Sequence, residues 1–189
     1  LYEDAMKDKS IPKEILKNQG SEALRLWSAL EGELTKTDFG CSDEKINAEM
    51  KTLTKLWNVG KFILQFPAAK KPLKLELTDK FFIEYAEYLE DNCDLCYSKY
   101  DFHNPAVKLR AFLWEILASH YLEMVKARAY NRDNKFSKNE QDSAHYTLRY
   151  LLEKMLILFY PIIPAITFTL YNACGKNIFN EELKDSKNK

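Results

Sequence analysis

Lys51-Thr-Leu-Thr-Lys-Leu-Trp-Asn-Val-Gly-Lys-Phe62 is the stretch on which the reading of this chain turns. At about 100° per residue, Leu53, Leu56, Trp57, Gly60, Ile63 and Leu64 gather on one side of a helix. Lys51, Lys55, Asn58 and Phe62 fall within roughly 60° of one another on the opposite side. The apolar stripe predicts a helix laid on a core, and the opposite face predicts an aromatic ring standing among cations in water. Such a ring suits stacking on an unstacked nucleobase while lysines hold phosphates. The plainer alternative is a solvated lysine face with Phe62 covered by a loop or another helix. The wider run, residues 51–74, carries six lysines (Lys51, Lys55, Lys61, Lys70, Lys71, Lys74) and no acid.

Outward from this helix the chain reads as helix after helix. Ser42 is placed to cap it, with Asp43 and Glu44 in its first turn, and it is expected to run to about Gln65. A link with Pro67 and Pro72 leads to a helix capped by Thr78, with Phe81, Phe82, Tyr85, Leu89, Cys93 and Cys96, ending near Asp101. Pro105 opens the longest helix, through Leu109, Phe112, Leu113, Ile116, Leu117, Tyr121, Met124 and Val125. Ser137-Lys-Asn-Glu140 fits a capping box before a helix carrying Tyr146, Leu148, Leu151, Leu152, Met155, Leu156 and Phe159. A final helix is expected over 164–173. Upstream, Pro12–Asn18 and a segment from Gly20 through Ala23, Leu24, Trp27 and Leu30 read as short helices before a loop over 32–42. The fold class is therefore all-α: an antiparallel bundle of four to five long helices with a short helical N-terminal appendage. The organisation is 1–41 as helical linker, 42–174 as bundle and 175–189 as polar tail.

Composition bounds the function. The 189 residues are 46% hydrophobic and 30% charged, with five glycines and six prolines, which suits one folded helical domain. No apolar run reaches the roughly 18 residues of a membrane span, no signal peptide is visible, and a cytoplasmic location without membrane contact is expected. Twenty-eight basic and 28 acidic residues give a formal net charge of zero, so any nucleic-acid affinity must come from local charge. Residues 75–94 hold seven acids against Lys80 alone, whereas residues 105–132 hold Lys108, Arg110, Lys126, Arg128 and Arg132 against Glu115 and Glu123. Arg110, Lys126 and Arg128 are candidates to flank the same groove; alternatively Lys126 and Arg128 serve the C-terminal end of their own helix. Cys93-Asp-Leu-Cys96 has the spacing of half a zinc site, but Leu89, Cys93, Cys96 and Tyr100 follow a helical core stripe, and reduced structural thiols are expected. No Gly-rich phosphate loop or Gly-x-Ser-x-Gly elbow is present, His103, His120 and His145 are far apart, and no metal or cofactor is expected. His120, one residue off the apolar face, is expected to be packed or half-exposed. The chain reads as a binding module without a catalytic site.

Several segments, in order, carry a resemblance. Pro12-Lys-Glu-Ile-Leu-Lys-Asn-Gln-Gly20 followed by Ser-Glu-Ala-Leu-Arg-Leu-Trp27 resembles the Pro-x-Glu-Ile-Ile-x3-Gly-Ala-Asp-Ala-Leu-Arg stretch of class I aminoacyl-tRNA synthetases. Lys55-Leu-Trp-Asn58 with Lys61-Phe62 is similar to the Lys-Leu-Trp-Asn-x2-Arg-Phe element of their anticodon-binding bundle. Tyr100-Asp-Phe102, Phe112-Leu-Trp114 and Tyr121-Leu-Glu-Met-Val-Lys-Ala-Arg-Ala-Tyr130 resemble the valine-specific members, and Pro161-Ile-Ile-Pro-Ala-Ile-Thr167 resembles their closing segment. The resemblance spans about residues 10–172. It implies a fragment that binds the anticodon region of a valine tRNA, a monomer whose partners are that tRNA and a catalytic domain of the same polypeptide. ATP and magnesium would belong to the parent ligase; neither its His-x-Gly-His motif nor the Lys-Met-Ser-Lys-Ser loop is in this sequence, where Leu1-Tyr-Glu-Asp-Ala5 stands in the loop's place. In this resemblance Lys61 and Phe62 match the anticodon-contacting pair, Lys61 and Asn58 reach base edges or phosphate, and Lys51 and Lys55 neutralise phosphates. An isoleucine-type synthetase bundle and a helical protein scaffold without RNA binding are the alternatives.

Overall fold

The computed structural model describes residues 11–32 and 43–180, and these are helical almost throughout. The helices are α1 (Ile11–Glu31), α2 (Asp43–Leu64), α3 (Leu77–Tyr97), α4 (His103–Ala111), a π-helical stretch (Phe112–Tyr121), α5 (Leu122–Tyr130), α6 (Lys138–Phe159) and α7 (Pro164–Ala173), with a 3-10 turn at Ile178–Asn180. The expected caps at Ser42, and most of the 32–42 loop, lie outside the described residues.

Consecutive long helices alternate in direction, as an antiparallel bundle requires. The side-chain ties that register them nevertheless join parallel neighbours. Glu49 meets Arg110 and Thr52 meets Trp114, in rising order along α2 and the 103–130 helix. Tyr150 donates to Glu87, Lys154 to Glu90, and Tyr97 donates to the Leu158 carbonyl, in rising order along α3 and α6. The proline-bearing 65–76 link carries the chain from α2 to α3 over one end of the bundle, where Asn139 holds the Lys74 carbonyl.

One continuous core gathers Leu56, Val59, Ile63, Phe82, Leu89, Leu109, Leu113, Leu117, Leu151, Met155 and Phe159. The buried face of α2 is turned from its expected stripe, taking in Glu49, Thr52 and Val59 and leaving Trp57 out. Leu56, Gly60 and Ile63 are buried and Leu53 and Leu64 half-buried, but Trp57 is 38% exposed. Gly60 is where α7 crosses, and a Cβ there would stand 2.9 Å from Leu170 Cδ2. The long 103–130 helix is unbroken in direction but closes its middle ten residues with wider π turns.

Segment ends differ from expectation in informative ways. Glu76, not Thr78, sits at the N-cap of α3, with no side-chain cap bond. The α3 helix stops at Tyr97 because Tyr100 takes a left-handed φ of 58°, which also swings its ring off the expected cysteine stripe into solvent. The capping box of α6 is present as read, with Ser137 Oγ accepting from the Glu140 N–H and Glu140 accepting from the Ser137 N–H. The upstream segment is one span broken at Gly20, whose φ of 79° suits glycine alone. Its second half joins the bundle: Ala23, Leu26 and Trp27 are buried, Arg25 donates to the Pro161 and Ile162 carbonyls, and Glu22 accepts from the Ile166 N–H at the start of α7.

Cys93 and Cys174 are buried and reduced, and burial, the largest effect on each, pushes the Cys93 thiol up to about 12 and the Cys174 thiol to about 11. Both should resist a thiol reagent at pH 8 in the native protein and react on denaturation in urea; prompt native labelling of Cys93 by mass spectrometry would contradict the packing described.

Candidate nucleic-acid interface

The face read from sequence begins on α2, and the structure divides its residues. Lys51, Asn58 and Lys61 are exposed along the helix as expected. Lys55 is half-buried, with Nζ 5.0 Å from the centre of the Trp114 ring on the neighbouring π-helical stretch. Arg110 stands beside the same stripe, its Nε 3.1 Å from the Glu49 carboxylate. Lys51, Lys55, Arg110 and Trp114 thus form a polar and aromatic edge along α2.

Phe62 is not a lone ring in water. It is half-buried against the core and lies edge-on to Phe66 at 5.4 Å and to Tyr130 at 6.3 Å, with Lys126 Nζ 5.8 Å from its centre. The physical reason is the end of α2. Phe66 follows Phe62 by four residues, past the last turn, and folds back on the same side. Phe66 then meets Tyr130 edge-on at 5.0 Å and stacks on His145 at 5.2 Å. Edge-to-face arrangements at these spacings match the ring quadrupoles and add about 0.5–1.5 kcal/mol beyond area burial. His145 is buried, and its Nε2 donates to the Ala129 carbonyl at 2.8 Å, since a carbonyl can only accept.

Two of the three flanking basic residues have different work. Arg128 is no solvent-facing cation. Its guanidinium takes both oxygens of the fully buried Asp79, at 2.6 and 2.5 Å, and also reaches the Glu140 carbonyl. Burial disfavours the Arg128 charge, but the hydrogen bonds and charge of Asp79 outweigh it and hold its pKa above the ordinary arginine value. Tyr121 and Ser143 donate to the same carboxylate, at 2.9 and 2.5 Å. Burial first, then Asp79, pushes the Tyr121 hydroxyl well above its ordinary value. Lys126 pairs with Glu123 at 2.9 Å on its own helix. Neither cation serves the carbonyls at the end of that helix; that place is taken by Gln141 and His145, which both donate to Ala129 O. The third, Arg110, is held by Glu49 but keeps 42% of its side chain exposed.

Beyond Phe62 the surface opens into a cleft of about 750 Å³ lined by Lys126, Tyr130, Asn131, Arg132, Lys135 and Phe136, among others. Asn131 ends α5 in the left-handed region, at φ 44°, and its side chain brackets Phe136 by donating to its carbonyl and accepting from its N–H. Tyr130, Phe66, Arg132 and Lys135 were not among the sequence candidates. The i, i+4 spacing of Phe62 and Phe66 was the available signal for Phe66. Nothing local marks the approach of Tyr130, which comes from a helix more than sixty residues away. Together with exposed Lys61, Lys70, Lys71, Lys74 and Lys138, these residues make one end of the bundle basic. His120, expected to be at least half-packed, is exposed and donates from Nδ1 to the Glu115 carbonyl.

Residues 79–189 match the family described as anticodon-binding domain of tRNA ligase, and the chain belongs to that family. Its relatives include the valine–tRNA ligase of Aeropyrum pernix, 35% identical over 92% of this chain. Those of Pyrobaculum aerophilum and Nanoarchaeum equitans are 34% and 30% identical over 88% and 93% of it. The chain spans only 21%, 21% and 22% of the length of these three relatives.

Asp79→Ala should cost about 3–5 kcal/mol in a urea titration, because Arg128 would remain buried and uncompensated. A loss below about 1 kcal/mol would show that the carboxylate does not hold this end together.

Proposed function

We propose that this chain is the anticodon-reading part of a valine–tRNA ligase. It grips the anticodon arm of a valine tRNA so that the acceptor end reaches a catalytic domain supplied by the rest of the longer polypeptide. The observation that carries the reading is the continuity of one surface: the exposed Lys51, Asn58 and Lys61 of α2 lead into the Phe62–Phe66–Tyr130 ring cluster with Lys126 above it. The lysines meet phosphates, which gives affinity without sequence information. The ring cluster meets an unstacked loop base, which is how single-stranded RNA is recognised. The contribution to aminoacylation is geometric: positioning a long ligand at one end fixes its far end. ATP and magnesium serve the catalytic part of the parent ligase, and the intact enzyme works in the cytoplasm.

The partial burial of Phe62 supports the reading in a modified form. A ring wedged between Phe66 and Tyr130 keeps its orientation before RNA arrives, so little side-chain freedom is lost on binding. Arg128 leaves the list of RNA contacts in this proposal and becomes a support for the helix end that carries Tyr130.

Phe62→Ala should weaken binding of a valine anticodon stem-loop about 5- to 150-fold with the helical CD spectrum retained. Unchanged affinity would remove Phe62 from the interface. Lys51→Ala and Lys61→Ala should each weaken binding evenly across sequences and lower the salt slope by about one phosphate contact. In the same assay, replacing the valine anticodon by an isoleucine anticodon should reduce affinity; a preference for the isoleucine loop would reassign the chain to the isoleucine-type enzymes. Absence of any shift at low salt would point to a protein-binding scaffold.

A further inference from the structure

The geometry points to Arg132, seated over the Tyr130 ring, as a second base platform of the anticodon-arm site, distinct from Phe62; the inference rests on the RNA reading above. Arg132 lies two residues past the end of α5, and its guanidinium carbon sits 4.9 Å from the centre of the Tyr130 ring. The arginine is exposed, and among the described residues no carboxylate lies within ion-pair distance of it. The two acids of the cleft are engaged elsewhere, Asp133 with Lys135 at 3.1 Å and Glu123 with Lys126 at 2.9 Å. A planar cation backed by a ring and exposed to solvent is a surface on which a base can stack.

The backing is fixed from three sides. Tyr130 is wedged edge-on against Phe66 and Phe62, and Phe66 is stacked on His145. Ala129, just before it, has its carbonyl held by Gln141 and His145. Arg128, one residue earlier, is locked on Asp79. Asn131, just after it, turns the chain in a left-handed conformation and clasps Phe136 on both backbone groups. The platform is therefore preorganised on the protein side, and Arg132 needs only to keep its place on Tyr130 when a base arrives.

The ligand this arrangement takes is a single splayed nucleotide. Its base lies on the guanidinium plane, and its phosphate enters a cleft of about 750 Å³, where Lys126 and Lys135 exchange their exposed pairings with Glu123 and Asp133 for it. That volume lies within the range of about 300–1,000 Å³ typical of small-ligand sites. Lysine cannot replace arginine in this role, because an ammonium offers a point charge and no plane.

The test compares wild type, Arg132→Lys, Arg132→Ala and Phe62→Ala on valine anticodon stem-loops in which each loop nucleotide in turn is abasic, over a range of salt. Arg132→Lys, which keeps the charge at an exposed position, should bind the intact loop about 5-fold or more weakly with an unchanged salt slope. That loss should vanish when one particular loop nucleotide is abasic, and the nucleotide should differ from the one to which Phe62→Ala is coupled. If Arg132→Lys binds as wild type and Arg132→Ala only lowers the salt slope, Arg132 is a phosphate contact, and the platform is overturned while the RNA reading stands. If wild type shows no binding to any stem-loop at low salt, the reading and the platform fall together. The CD spectrum and urea midpoint of Arg132→Lys, expected to match wild type, exclude unfolding as the cause of a loss.

Discussion

Asp79 is completely buried near the start of α3, and it is the charge around which one end of the bundle is arranged. A carboxylate removed from water is tolerated only when its lone pairs are satisfied. Here Arg128 brings the opposite charge from α5, Tyr121 a hydroxyl from the π-helical stretch and Ser143 a hydroxyl from α6. Ser143 also accepts from the Glu76 N–H, so the incoming link is tied to the same knot. Three helices and a link converge on one small group. Their relative positions at this end are set by hydrogen-bond geometry, which is directional, and not by apolar packing alone, which is not.

That constraint explains why the basic end can be both polar and well ordered. Most of its cations sit on the outside, where each alone contributes little to stability. The order comes from beneath, from the Asp79 knot and from the rings of Phe66, Tyr130 and His145. A surface built this way separates two tasks. Buried polar groups hold the frame, and in the function proposed above the exposed lysines and one arginine meet the RNA. The formal neutrality of the whole chain is compatible with this, because the acids concentrate along α3 and the cations around the basic end.

Much of the fold was legible because periodicity and capping are local. The capping box at Ser137 and the helix at Pro164 could be read from neighbours alone, as could most of the α2 stripe. What escaped were properties decided by partners distant in sequence. Trp57 falls on the apolar side of a helical projection, yet no neighbour covers it fully, so it stays 38% exposed. Arg128 reads as a surface cation at the end of a helix until Asp79, 49 residues earlier, is brought beneath it. Phe62 reads as exposed until Tyr130 and Phe66 close around it. Lys51 and Asn58 stayed where the projection put them, because exposed positions on a helix need no partner to define them.

The π-helical stretch at Phe112–Tyr121 has a consequence of its own. In a regular α-helix each residue turns the chain by about 100°. Bonds closed five residues back instead of four turn it less, so ten such residues leave the helix facing a different way than its length implies. Before the stretch, Arg110 looks toward α2; after it, Arg128 looks toward α3. The segment therefore acts as an angular adjuster inside one continuous rod. It lets a single helix serve two neighbours whose demands a uniform α-helix of the same length would not meet together. Substitutions that respect side-chain size can be absorbed there, whereas gaining or losing one residue would rotate everything downstream, Tyr130 included, away from its place.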